Sequence, residues 1–527
     1  MSYMTRMRSA IVAGTACAIS AFVVIAGERV ARADLLARML DADGAGSTAA
    51  SADDLLSWAG ATEETSLPAI LQVAVRAAPS LQQARIDIAV ADAQISETWI
   101  RNDYTIKAQA LASKTNGGVI DGFPISGSEN ISVGVDVLRG LSTGAIIDIH
   151  AGTQYSDLEA GGVASVFASA VWVDTVTAQI TQPLLKGRGR ALFDAPERKA
   201  QLSRDATVLA NRLAAINVVQ TIVSSYWDLV LAERQVAITQ QSLDLARERL
   251  RVTEVQADGG KTARSEIPAV QQIIATRQED VLNGQLAVLN ASIALRRAAG
   301  MPIGKGALGL HVASDLQIAD VTWDLGALVE QGYSASPQLA QLAKQADGAT
   351  VDIDVTENGL MPQLDLALQA GPTGESGGFN NAFKDLIEFN SFTIGGSLTF
   401  SRTLSQWDVR GRSRELRTAR QKIAVSAVDL RAQIADTISF SVAQLELAKR
   451  RVVLSQRAID LANENIRIET DRFNLGRSTN FDVLNRLEDL RQAELRKAQA
   501  MVDWHKAEVV VQALTGQLLP RYGIAVD

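Results

Sequence analysis

Gly374, Glu375, Ser376, Gly377 and Gly378 carry the G-x-S-x-G spacing, which in hydrolases holds a nucleophilic hydroxyl on a tight turn from a buried strand into a helix. Such a serine needs a base, and the sequence has three histidines, His150, His311 and His505. They are not spaced as a zinc pair and bring no evident acid-base partner. No strand-to-helix pattern surrounds Ser376 either, so Gly371 to Gly378 reads as an exposed Gly-rich loop. Gly187, Arg188 and Gly189 are too short a run to cradle a phosphate, and the lysine and hydroxyl of a phosphate loop do not follow. The single cysteine, Cys17, lies in an N-terminal apolar run, so an exported chain keeps no thiol for a disulfide or a thiolate metal site. The methionines form no cluster of the kind that handles copper. No catalytic, cofactor or metal site is expected, and the chain reads as something other than an enzyme.

The stronger signal is periodic. Ile222, Leu229, Val236, Leu243 and Leu250 recur every seventh residue, the step at which a helix presents one continuous apolar seam. Leu231, Ile238, Leu245 and Val252 keep the same step, roughly 200° further around the axis. Two opposed seams suit a helix with a neighbour on each side, as in the curved wall of a cylinder. An offset of 216 residues reproduces both seams as Ile438, Leu445, Val452, Ile459, Ile466 and as Leu447, Leu454, Leu461, Ile468. It also carries Gly260 onto Gly476 and Gly300 onto Gly516, so one unit is duplicated.

Along the chain, Arg6 and Arg8 precede the apolar run Ile11 to Ala26, and Ala31, Arg32, Ala33 form a small-x-small site. Residues 1–33 read as a secretory signal peptide, with Gly14 standing where a lipoprotein signal would want a bulky apolar residue before Cys17. Residues 34–66 read as a polar linker. The first repeat spans 67–302, an irregular connector 303–324, the second repeat 325–518 and a short tail 519–527. In the first repeat a helix is interrupted at Pro79 by a kink or a break, and Pro337 repeats the pattern. Strands are expected at Thr105–Ser113, Ile131–Val137, Ala145–Gln154 and Val171–Ile180, but only at Leu364–Ala370 and Phe392–Phe400 in the second copy. The first copy is longer by 42 residues, which a longer loop, an additional hairpin or a longer strand pair would each explain. Long helices follow, from about Glu197 to Ala257 and from Arg414 to Leu475, each on the order of 90 Å. Gly259 with Gly260, and Gly476, break them before returning helices that stop at Gly300 and Gly516.

Two bounds follow from composition. A formal charge of −8 argues against nucleic acid as a partner. No stretch after Ala26 is apolar and unbroken enough for a membrane-crossing helix, so a bilayer would have to be crossed by strands.

Gln182, Pro183, Leu184, Leu185 entering the first long helix, and Phe473, Asn474, Leu475, Gly476 followed by Phe481, Asp482, Val483, Leu484, resemble the TolC family of outer-membrane efflux channels. The resemblance covers about Leu67 to Leu518. It implies a mainly α fold with β: duplicated helical hairpins that form a trimeric α-barrel in the periplasm, and strands that share one β-barrel in outer-membrane lipid. It also implies a periplasmic adaptor and an inner-membrane transporter as partners. Asp482 matches the acidic position whose copies ring the pore, and Asn485 takes the place of the next acidic one. Arg477, Ser478 and Asn480 are latch candidates by location. Glu266 duplicates Asp482, and the tips at Gly259, Gly260, Glu266 and Gly476 are candidates for adaptor docking. The helix start offers Asp482 a second role, complementing the helix dipole. Where the first copy has Pro183 and Leu184, the second has Thr399 and Phe400, so that strand-to-helix corner is expected to differ. Two function classes stand: a passive export duct, and a periplasmic coiled-coil spacer or adaptor without a pore, which would have no use for strands.

Overall fold

A computed structural model describes residues 62–120, 123–160, 170–260, 263–303, 309–312 and 316–525. The expected signal peptide and nearly all of the expected linker lie outside the described residues.

Each repeat opens with two helices that meet at a proline. Helices α1 (Leu67–Ala77) and α2 (Pro79–Glu97) are separated by Ala78 at φ −61°, ψ 120°. In the second repeat α5 (Leu325–Ala335) and α6 (Pro337–Asn358) are separated by Ser336 at φ −68°, ψ 112°. The cause is local, since the proline ring excludes its predecessor from the α region and forces an extended residue there. The choice left open between kink and break is thus settled as a break in both copies.

The strands follow as β1 (Thr105–Ile120), β2 (Phe123–Gly140), β3 (Ile146–Ala160) and β4 (Val171–Pro183), then in the second repeat β5 (Gln363–Ser376) and β6 (Phe392–Ser401). All six form one antiparallel sheet in the order β1-β2-β3-β4-β5-β6. The extra length of the first repeat is therefore an additional hairpin. The loop expected at Gly371–Gly378 is corrected: β5 runs on to Ser376, and helix α7 (Phe379–Ile387) folds back on it. A Cβ on Gly374 would lie 1.9 Å from the Ala382 carbonyl oxygen, and one on Gly371 would lie 1.9 Å from that of Val176. These glycines mark close packing, not an exposed turn.

Long helix α3 (Ala195–Asp258) and returning helix α4 (Glu266–Ala299) make the first hairpin, and α8 (Trp407–Asn474) and α9 (Asn480–Leu514) the second. At about 1.5 Å per residue α3 and α8 are roughly 100 Å long. The two strand-to-helix corners do differ. The first turns through Gly187 and Gly189, both at positive φ, into a helical turn at Arg190–Phe193, whereas the second enters α8 through Gln406 at φ 44°.

Packing orders the four helices as α8, α9, α3, α4, because α9 lies against both α8 and α3. The first seam of α3 is buried, with Ile222, Leu229 and Leu243 at 3% exposure or less, and Ile438 and Leu445 match it on α8. The most apolar part of α3 is core: Ile216, Val219, Ile222 and Val223 pack with Ile70, Leu71, Leu295 and Leu310. Leu518 and Leu519 join the same core, so the chain beyond α9 begins as a packed helical turn. Within the expected connector, Gly309–Val312 is a strand. Trp227 of α3 stacks on His505 of α9 at 3.9 Å between centroids and 5° between planes, beside the Lys506–Asp228 ion pair. Lys199–Asp352 at 2.8 Å and Lys344–Asp205 at 2.9 Å tie α3 to α6.

Candidate functional site

Two places carry what the fold can do: the surfaces of the helical wall and sheet, and the far ends of the hairpins. On the wall, covering is one-sided. The second seam of α8 stays open, with Leu447 57%, Leu454 66%, Leu461 59% and Ile468 45% exposed. At the other edge, α4 leaves Leu282 and Leu286 uncovered. The sheet also ends in two exposed edge strands, β1 and β6.

His150 lies on one face of the sheet with its Nδ1 2.6 Å from Asp136 Oδ1, so the acidic partner that spacing did not suggest exists across β2 and β3. The ring sits over Gly134 and Gly152, where a Cβ would come within 2.8 Å and 2.7 Å of it. Ser376 is on β5, opposite Trp172 of β4 and far along the sheet from that pair. The histidine, acid and serine are therefore not assembled for nucleophilic catalysis. His311 Nδ1 is 3.2 Å from Glu233, and His505 is occupied by stacking.

At the tip, Thr479 is the N-cap of α9 and forms a capping box with Asp482. The Thr479 hydroxyl accepts from the Asp482 N–H at 3.3 Å, and Asp482 Oδ2 accepts from the Thr479 N–H at 3.1 Å. The Ser478 hydroxyl lies 3.3 Å from the same carboxylate and donates to Glu469. The hydrogen bond from the Thr479 hydroxyl, then that from its backbone, hold the Asp482 carboxyl below its ordinary value, with Ser478 and Arg472 adding to the effect. Arg477 and Asn485 are exposed. Gly260 and Gly476 take φ +71° and +70° where the hairpins turn, while Gly259 is ordinary at −77°.

Asn480, placed first in α9, is buried and joins the two hairpins. Its Oδ1 accepts from Arg249 Nε at 2.8 Å, with the Thr253 hydroxyl at 3.2 Å, and its Nδ2 donates to Glu266 Oε2 at 2.5 Å. Arg249 lies 3.7 Å above the Phe473 ring, and burial pushes its guanidinium below the ordinary arginine value, Glu266 opposing. A second crossing sits further up, where Arg277 of α4 reaches Glu488 of α9 at 3.4 Å and also donates to Ser242. Arg249, Thr253, Arg277 and Glu488 were not singled out by sequence reasoning. An arginine on a buried helical face, as Arg249 is seven residues after Ser242 and three after Ala246, is the signal that could have found the first.

The Asp482 cap has a pH signature. Its folded-state pKa is depressed, so its contribution is present above the unfolded value of about 3.9 and is lost as pH falls through the lower folded value. Amide protection of the first turn of α9 is expected to hold from pH 7 to about pH 5 and to fall below about pH 4. In Asp482→Asn that acid-dependent loss disappears; hydrogen exchange across this range makes the comparison.

The sequence profile of the outer membrane efflux protein family matches residues 146–301 and 328–517, which takes in most of both repeats. Nodulation protein T of Rhizobium leguminosarum bv. trifolii is 21% identical over 327 residues, 60% of this chain and 67% of that one. Among solved structures, the outer-membrane channel OprN superposes with a TM-score of 0.64 at 14% identity, over 86% of this chain and 90% of its own. The Campylobacter jejuni CmeC outer membrane channel gives 0.61 at 13% identity, over 86% and 85%. Both structural likenesses concern the fold. With the family profile covering most of both repeats, the chain belongs to the outer membrane efflux protein family, as a protein of the outer membrane.

Proposed function

We propose that three copies of this chain close into one passive duct, the sheets sharing a β-barrel and the helices a cylinder, that takes substrate from an inner-membrane transporter through a periplasmic adaptor. The observation that carries this is the pair of open edges in both layers. Leu447, Leu454, Leu461 and Ile468 on α8 are left exposed by the single chain, as are Leu282 and Leu286 on α4. Covering each such side chain gains about 2 kcal/mol. A coiled-coil spacer would account for the helices, but not for a six-stranded sheet with apolar side chains left in solvent.

The hairpin tips, with Gly259, Gly260 and Glu266 on one and Gly476, Arg477, Ser478, Asp482 and Asn485 on the other, are the ends that would meet the adaptor and set the aperture. Three Asp482 carboxylates around one axis would favour cations. The expected result is a trimer by light scattering of detergent-extracted protein from washed outer membranes, conducting in planar bilayers with cation preference that weakens in Asp482→Ala. A soluble monomer or dimer would overturn the duct. Unchanged selectivity in the variant would leave Asp482 as a helix cap alone.

A further inference from the structure

We infer that the additional hairpin β1-β2 is part of the membrane wall, so that each chain contributes six strands and the closed barrel has eighteen. The inference rests on the three-copy reading above and concerns what that barrel is made of.

The register of the sheet puts the additional hairpin in phase with the other strands. One row of paired residues crosses the whole sheet as Ile106, Val137, Ile149, Ala178, Ala370 and Ile394, one from each strand and all apolar. The adjacent row, which pleating turns to the opposite face, is Thr105, Leu138, Asp148, Gln179, Gln369 and Gly395. Two residues along, Ala108, Val135, Ala151 and Val176 continue the apolar face, and Lys107, Asp136, His150 and Thr177 continue the polar one. The additional hairpin thus keeps the phase of the other four strands. A hairpin lying over the lumen or in the periplasm would have no reason to present Ile106, Val133 and Val135 on the same face as Ile149, Leu368 and Leu398. All six of these side chains are at least 39% exposed in the single chain.

Length agrees. Strands β1 and β2 have 16 and 18 residues, against 14 and 10 for β5 and β6, so they exceed the 9–11 that a tilted strand needs to cross a bilayer. The polar face is also furnished for water, with Lys107 opposite Asp136 and Asp136 bonded to His150.

Six strands cannot close on themselves, and the free edges belong to β1 and β6. The partner that fits each edge is therefore the other edge of a second copy, β1 against β6, which continues both the ladder and the apolar face. Strands spaced at ~4.8 Å and tilted by ~40° give eighteen a girth of about 110 Å, and twelve of about 75 Å. Twelve helices spaced at 8–10 Å give about 100–120 Å. With eighteen strands the two walls have matching girths.

The test uses single cysteines on a Cys17→Ala background, in the full chain reconstituted as a trimer in liposomes. Ala110→Cys and Val133→Cys probe the apolar face of the additional hairpin, Gln109→Cys and Ser132→Cys its polar face. Leu368→Cys and Gln369→Cys are the references in β5. A charged, water-soluble methanethiosulfonate is expected to label positions 109, 132 and 369 at least about tenfold faster than 110, 133 and 368. Nitroxide-labelled lipid is expected to quench bimane probes only at the second set. If the β5 pair shows this contrast while all four hairpin positions label alike, the additional hairpin lies outside the wall and the inference is overturned. If the β5 pair shows no contrast, or no trimer forms, the shared-barrel reading itself fails.

Discussion

Gly300→Ala is expected to destabilise the chain by on the order of 3 kcal/mol or more, whereas Gly260→Ala should cost only about 1 kcal/mol, although both positions have nearly the same backbone. Gly300 ends α4 at φ +68°, and Gly260 turns the first tip at φ +71°. Each alanine pays for the left-handed conformation. Only one of them also meets other backbone. A Cβ at residue 300 would lie 2.5 Å from the carbonyl oxygen of Ala77 and 3.0 Å from the nitrogen of Ala78, at the break that Pro79 imposes between α1 and α2. Among the described residues nothing lies within 4 Å of the corresponding atom at residue 260. The C-terminal cap of α4 is held at the same spot by the Met301 N–H donating to the Arg296 carbonyl at 2.9 Å, so the chain cannot swing aside without losing it. Gly516 is the duplicate, and there the Cβ would meet one atom alone among the described residues, the Cβ of Ala335 at 2.9 Å, a longer and less extensive clash than the carbonyl and amide atoms met at residue 300. Denaturant midpoints should therefore fall in the order Gly300→Ala, Gly516→Ala, Gly260→Ala, largest loss first. Equal losses at 300 and 260 would show that backbone conformation, not the close approach, sets the cost.

Arg249→Ala is expected to loosen the tips by about 2–4 kcal/mol while leaving the core around Ile222 and Leu295 unaffected. Arg249 is 7% exposed, and its guanidinium stacks on Phe473 and donates to Asn480, which in turn donates to Glu266. Deleting it leaves the Asn480 carbonyl oxygen with only the longer contact to the Thr253 hydroxyl and leaves the Glu266 carboxylate without its nearby cation, at the contact between the first hairpin and the start of α9. Amide protection should drop in the last turns of α3 and the first of α9, and single-channel recordings should show more frequent spontaneous openings. Arg249→Lys is expected to recover only part of each, because the ammonium restores the charge but neither the flat stack nor the directed Nε bond. Wild-type protection at the tips in Arg249→Ala would overturn the assignment of this residue as the tie between hairpins.

The glycine at 300 and the arginine at 249 show two different limits of a one-dimensional reading. Gly300 was marked as a helix stop from its position after a periodic run, and it is one. That its hydrogen faces Ala77 depends on a contact across more than 200 residues of chain. Arg249 lies on the same helix as the seams that revealed the duplication, yet its partners are Phe473 and Asn480 in the other hairpin. Asp482 was read as a pore charge or a helix-dipole partner, and the structure adds the capping box with Thr479, a pattern written within four residues. Gly371 and Gly374 were misread for the opposite reason. A glycine-rich run looks like a loop until α7 is seen packed on it.

What the sequence determined by itself was everything that repeats along the chain: the long helices, the interruptions at Pro79 and Pro337, the glycine stops, the alternating strands and the duplication that relates them. Backbone hydrogen bonding in a helix, and the two-residue pleat of a strand, are short-range and leave periods of 3.6 and 2 in the residue types. Tertiary structure alone decided that six strands lie in one continuous sheet with a common apolar face, that α9 sits between α8 and α3, and that Asn480 ties two hairpins together. Those outcomes depend on which apolar faces and polar atoms find one another across hundreds of residues, and many partners satisfy a single heptad or a single buried arginine equally well until the chain is folded.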